Sequence, residues 1–170
     1  MNKGKLFSKI VVVIFFLSIL ILTGCYSFTG GSVPEHLESI QIMPVVDNSG
    51  YGNPLFREEL QNNLVEKFIT DGSFSVAENN GDARLTASIA SIRDQTIALS
   101  QGELETERKI VVTVKAEYFD AIERKQIFTR RFNNEQLYAL SNPVLERNEA
   151  VIRALDQLSD DIRLAVVSGW

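Results

Sequence analysis

Apolar residues recur along this chain with two periods, and the switches between them lay out its elements. In "SIQIMPVV", Ser39 to Val46, Ile40 and Ile42 alternate with Gln41 and Met43, which predicts a strand. Pro44 lacks an N–H, so the strand is expected to run at an edge or bend there. The turn formers of "DNSGYGN", Asp47 to Asn53, predict a loop. Asn53-Pro54 then opens a helix, with an Asx cap followed by Pro at the first helical position, where its missing N–H costs nothing. Phe56, Leu60, Leu64 and Phe68 recur every four residues and, with Val65 and Ile69, form one apolar stripe. Arg57, Glu58, Gln61, Asn62 and Glu66 take the other side, and Asp71-Gly72 predicts the stop.

The middle of the chain alternates with period two. "FSVA", Phe74 to Ala77, is a short strand. "ARLTASIASI", Ala83 to Ile92, sets Ala83, Leu85, Ala87 and Ile89 against Arg84, Thr86 and Ser88. Ile92 and Leu99 fall out of that phase, which predicts a bulge or bend. "KIVVTVKAEYFD", Lys109 to Asp120, sets Ile110, Val112, Val114, Ala116 and Tyr118 against Lys109, Thr113, Lys115 and Glu117. After the charged connection "DAIERKQ", "IFTRRFNNEQLY" from Ile127 to Tyr138 returns as a further antiparallel strand. Asn142-Pro143 repeats the helix opening, and Val151, Leu155, Leu158, Ile162 and Val166, with Ala154 and Ala165, lie at helical spacing. The pattern predicts a single α+β domain over 39–170: two amphipathic helices packed on one face of a mainly antiparallel four-stranded sheet.

The first residues follow neither period. Ile10 to Leu22 is apolar except for Ser18, a run of about 13 residues that rises roughly 20 Å as a helix, short of the roughly 30 Å hydrocarbon core of a bilayer. Lys3, Lys5 and Lys9 precede or open it, and no acidic residue occurs before Cys25. A basic start, a short apolar run and small residues at its end describe an export signal that is removed, here over 1–24. The other reading is an uncleaved anchor that recruits Leu6 and Phe7 to lengthen the span. Leu22-Thr23-Gly24-Cys25 resembles the lipobox of bacterial lipoproteins, in which cleavage falls before a cysteine that becomes acylated. Each buried CH₂ contributes about 0.8 kcal/mol, so several acyl chains hold a protein on a membrane without a spanning helix. Residues 25–38, with two glycines, serines and Pro34, read as a lipidated tether. Tyr26 stands where an aspartate would favour inner-membrane retention in enteric bacteria, which points to the outer membrane, facing the periplasm.

Charge and composition narrow the function. The formal charge is −5, and cleavage would remove three lysines and no acid, so a nucleic-acid partner is not expected. With Cys25 the only cysteine, no disulfide is possible within the chain. His36, the only histidine, lies in the tether, which leaves a Ser-His or Cys-His relay without a base. No zinc-ligand cluster, phosphate loop or G-x-S-x-G occurs. "DNSG" at Asp47 and "NNGD" at Asn79 lack the acidic spacing of a calcium loop, and Asp160-Asp161 reads as a solvated pair. The expectation is a binding or assembly protein with no cofactor and no metal, not an enzyme.

Several features then combine: Cys25-Tyr26-Ser27-Phe28, the small-rich Gly30-Gly31-Ser32-Val33-Pro34, Ile42-Met43-Pro44, Asp47-Asn48 and Asp82-Ala83-Arg84-Leu85. The last helix carries Arg147, Ala150, Ala154-Leu155, Leu158 and Asp161-Ile162. In this order the chain resembles the LptE family of lipopolysaccharide-assembly lipoproteins, although the glycine often found after the family's cysteine is absent. The resemblance implies a two-helix, four-stranded domain that plugs the lumen of an LptD-type outer-membrane β-barrel and helps deliver lipopolysaccharide to the outer leaflet.

Direct contact with the phosphates of lipopolysaccharide calls for basic side chains. The candidates on the predicted strands are Arg84, Arg93, Lys109, Lys115, Arg130 and Arg131, with Arg124 and Lys125 in a connection. Adjacent strand residues point to opposite faces, so only one of Arg130 and Arg131 can meet a given ligand. Two other readings stay open. "IQIMPVVDNSGYGNPLFREELQNNL" also resembles a strand-loop-helix of envelope lipoproteins that activate peptidoglycan synthases or form secretion-pore rings. An envelope hydrolase would draw on Glu105 and Glu107 of "SQGELETER".

Overall fold

The computed structural model describes residues 33–97 and 105–168, so Cys25, the signal segment and most of the tether lie outside the described residues. Strands β1 (Ser39–Ile42) and β2 (Val46–Asp47) are the two halves of the predicted first strand. They part at Met43 to Val45, where Pro44 cannot donate to a ladder. Helix α1 (Pro54–Asp71) follows, then β3 (Ser75–Ala77), β4 (Ala83–Thr96), β5 (Glu107–Asp120), β6 (Lys125–Ala139) and helix α2 (Pro143–Ser168).

Both predicted ends of α1 form as the residue types require. The Asn53 side chain accepts from the Leu55 N–H at 3.1 Å. Gly72 closes the helix at φ 71°, a left-handed conformation that costs glycine little, and its N–H reaches the Phe68 carbonyl. Phe56, Leu60, Leu64 and Phe68 are fully buried, each worth about 1.5–3 kcal/mol of apolar transfer. Ile69 departs from the expected stripe: it is 62% exposed, one residue past Phe68 and turned away from the sheet. On α2, Val151, Ala154, Leu155, Leu158, Ile162 and Val166 bury as expected, together with Ala150. Lys67 on α1 binds Asp156 and Asp160 on α2, and Asp71 binds Arg163, so the helices run parallel, side by side.

The sheet differs from the expected four antiparallel strands. It has six strands, in the order β3-β1-β4-β5-β6 with β2 beside β4. β4, β5 and β6 form the predicted antiparallel meander, but β1 pairs parallel to both β3 and β4, and β2 parallel to β4. The reason is topological. A strand followed by a helix and a returning strand makes a crossover, and a crossover delivers a parallel neighbour. The predicted break in β4 is a bulge between Ile89 and Ser91. It keeps Ile92 facing the core opposite Val112, where unbroken alternation would have turned it outward.

One core lies between the sheet and the helices, built on Ile40, Leu85, Ile89, Val112, Val114 and Tyr118 and the two helical stripes. It reaches further back than the predicted tether boundary: Leu37 is 2% exposed and belongs to it. Gly81 makes a close approach that only glycine allows, since a Cβ there would sit 2.6 Å from the Gln41 backbone nitrogen. No helix among the described residues is long and apolar enough to cross a membrane.

Candidate functional site

Because helices cover one face of the sheet, the other is left to solvent, and the ladder register decides which side chains meet there. Across β4, β5 and β6 the rows read Arg84-Phe119-Gln126, Thr86-Glu117-Thr129, Ser88-Lys115-Arg131, Ser91-Thr113-Asn133, Arg93-Val111-Glu135 and Gln95-Lys109-Leu137. Five of the six basic candidates, Arg84, Arg93, Lys109, Lys115 and Arg131, therefore share the open face. Arg130 does not. It pairs with Ala116 on the helix side, and its guanidinium lies 5.1 Å from the centre of the Phe128 ring.

The five cations are not equivalent. Lys109 Nζ is 2.8 Å from Glu135, and Lys115 Nζ is 2.6 Å from Glu117, so each is already partnered. Arg84 lies over the Phe119 ring at 5.5 Å. The side chains of Arg93 and Arg131 make no hydrogen bond or ion pair among the described residues. Among the described residues in these six rows of β4, β5 and β6, five cations and two carboxylates, Glu117 and Glu135, share this surface, in a protein whose formal charge is −5. The helices carry a net acidic charge: Glu58, Glu59, Glu66 and Asp71 against Arg57 and Lys67 on α1, and Glu146, Glu149, Asp156, Asp160 and Asp161 against Arg147, Arg153 and Arg163 on α2. A potential of opposite sign on the two faces orients an approaching anion toward the sheet.

Of the residues weighed for catalysis, Glu105, Asp160 and His36 have structural partners. Glu105 holds Arg108 through both oxygens, at 2.9 and 3.0 Å, and that bond lowers its pKa, the reverse of what a general acid needs. Glu107 is exposed at the start of β5. Asp160 accepts from Lys67 at 2.7 Å. His36 corrects the sequence reading most. It is not loose in a tether, because its Nε2 lies 2.7 Å from Oδ2 of Asp120, which is 1% exposed. This bond raises the His36 pKa. Burial opposes ionisation of Asp120, yet His36 and the N–H groups of Ile122 and Glu123 hold its carboxyl below the ordinary value. The nearby Ser39 hydroxyl donates to Asp82, not to His36, so no Ser-His relay is assembled.

His36, Asp120 and Glu123 are the one grouping of metal-ligating side chains among the described residues, with ligand atoms within 4.8 Å. Its short bond is that of an ion pair. A groove of about 440 Å³ between the helices is lined by Asn63, Lys67, Asp71, Asp156, Asp160 and Arg163. Another of about 500 Å³ lies between the β1–β2 bend and α1, beside Ile42, Pro44, Val45 and Arg57. Neither contains a nucleophile beside a base.

Two parallel helices on one side of a mixed sheet, and a cationic open face on the other among the described residues, define an α+β module. The family model described as "LptE: Lipopolysaccharide-assembly" matches residues 37–166, and this chain belongs to that family. No curated protein matches the sequence. Among solved structures, the chain is similar to lipoprotein B from Nitrosomonas europaea, with TM-score 0.55, 15% identity, and 78% of this chain and 84% of that one covered. It is similar to a minor lipoprotein from Acinetobacter baumannii, with TM-score 0.54, 12% identity and coverages of 78% and 94%. Rare lipoprotein B from Shewanella oneidensis gives TM-score 0.50, 16% identity and coverages of 76% and 95%. At these identities the likeness is one of fold.

Proposed function

We propose that this chain is an outer-membrane lipoprotein, held through acyl chains on Cys25, that plugs and helps assemble an LptD-type β-barrel and takes part in moving lipopolysaccharide to the outer leaflet. The protein performs no bond chemistry. Its work is to fill a lumen and to offer a charged wall along which a phosphorylated lipid passes. Membership of the lipopolysaccharide-assembly family supports this reading. The observation that carries it is the open face of the sheet, where register gathers Arg84, Arg93, Lys109, Lys115 and Arg131 and leaves Arg93 and Arg131 without acidic partners among the described residues. Guanidinium groups bind phosphate oxygens through paired N–H donors, which suits a phosphorylated glycolipid. Arg130 has no part in this face.

Depletion of the protein in its native host tests the proposal. Loss of mature barrel and of surface lipopolysaccharide is the expected result. Normal levels of both would remove the proposal.

A further inference from the structure

The turn between β5 and β6 has a composition that packing of the core does not explain. It runs Ala121-Ile122-Glu123-Arg124. Ile122 at its tip is 58% exposed, and Arg124 and Lys125 beside it are exposed as well. The backbone is built firmly: Asp120 Oδ1 accepts from the N–H groups of Ile122 and Glu123, and the Ala121 N–H donates to the Asp82 carbonyl. Arg124 holds φ 55°, a left-handed conformation where glycine or asparagine is the usual occupant of a hairpin. An exposed aliphatic tip is followed by Glu123, whose carboxylate lies within 4.8 Å of the ligand atoms of His36 and Asp120, and then by two cations, one kept in an unfavourable backbone region; this points to function rather than to folding.

The place of the turn says what it faces. His36 binds Asp120 at the base of the turn, so the chain that follows Cys25 is pinned to this corner at His36. Ten residues separate Cys25 from His36, and the connection spans at most about 40 Å. At the opposite end of the domain Val144 is equally bare, at 63%. It follows Leu140, whose N–H bonds Thr106 at the start of β5, so the length of that strand, about 45 Å, separates it from Ile122.

We propose that the β5–β6 turn is a second membrane contact, in which Ile122 enters the interface of the anionic phospholipid leaflet that holds the acyl anchor while Arg124 and Lys125 meet its phosphates. This rests on the reading of Cys25 as lipidated. One aliphatic side chain and two cations bind a membrane with a dissociation constant on the order of millimolar. A short tether supplies a local concentration of the same order, so the contact forms only on the anchored protein and fixes which end of the domain faces the bilayer.

The test uses the full lipidated chain, purified from its host and placed in vesicles of phosphatidylethanolamine and phosphatidylglycerol. An environment-sensitive fluorophore is attached at Ile122→Cys or, separately, at Val144→Cys. The expected result is a blue-shifted emission, quenched by spin-labelled lipid, at position 122 and not at 144. Arg124→Gln and Lys125→Gln, added to the 122 reporter, each lower the association constant of the contact about fivefold. Vesicles of phosphatidylcholine alone weaken it similarly. Equal signals at both positions on protein that floats with the vesicles overturn the proposal. Shielding of position 122 that requires a copurified barrel does so too, since the occupant is then a protein wall. Protein that fails to float removes the anchor reading, and the proposal with it.

Discussion

Neutralising Arg131 separates a specific phosphate site from general attraction to a charged protein. Arg131 stands in the centre of the open face, opposite Lys115 on the neighbouring strand. Lys115 is bound to Glu117, whereas Arg131 has no acid within reach among the described residues. A charge-assisted hydrogen bond contributes about 1.5–3 kcal/mol when water is excluded, and an exposed ion pair about 1 kcal/mol or less. For a half-open face, Arg131→Gln is therefore expected to cost roughly 1–2 kcal/mol, about five- to thirtyfold in affinity for lipid A phosphates. Arg93→Gln should behave alike.

Two controls fix the interpretation. The double variant Lys109→Gln/Glu135→Gln removes a bonded pair without changing net charge and should be nearly silent. Arg57→Gln changes the net charge by the same amount as Arg131→Gln, but from α1, on the covered side of the sheet. At about 10 Å in water two unit charges interact by only about 0.4 kcal/mol, so its effect should be small. Binding of a Cys25→Ser form to lipopolysaccharide, measured by calorimetry at low and high salt, provides the assay. If Arg57→Gln weakens binding as much as Arg131→Gln, the open face is not the site.

Three further outcomes follow from the packing. His36→Gln should change the pH dependence of stability. The His36 pKa is raised above 6.5, so its bond to Asp120 contributes fully below that value and is lost as pH rises through the raised pKa. The Asp120 contribution is present above 3.8 and is lost only as pH falls through a value lower still. Urea unfolding from about pH 5 to pH 9 should show a decline on the alkaline side that the variant lacks; an unchanged profile would contradict the pairing. Leu60→Ala empties a fully buried position on α1 and should cost about 2–5 kcal/mol in the same measurement. Gly81→Ala must push β1 or β4 aside and should cost about 1–3 kcal/mol, where an open glycine would tolerate the methyl group.

Periodicity made the long elements legible. Both helices, their Asn-Pro openings and the meander β4-β5-β6 carry patterns many residues long, and even the bulge near Ala90 showed as a break in phase. The short parallel strands did not. β1, β2 and β3 have four, two and three residues, too few for alternation to reveal a neighbour, although the strand-helix-strand order already required a parallel return. His36 was misplaced because its partner, Asp120, lies 84 residues away, and no local pattern announces such a bond. The open face was half visible. Alternation set Arg84, Lys109 and Lys115 on polar faces and allowed only one of Arg130 and Arg131 to share a face, without saying which. The register that sets Lys115 beside Arg131, and the acids that leave Arg93 and Arg131 unpartnered, belong to the tertiary structure.

The central claim is that this module acts by fitting into another envelope protein. Affinity purification of the lipidated chain from detergent-solubilised envelopes of its own host tests that most directly. A large outer-membrane β-barrel should be recovered in equal amount with it. Recovery of a penicillin-binding protein, or of a ring made of this chain alone, would contradict it.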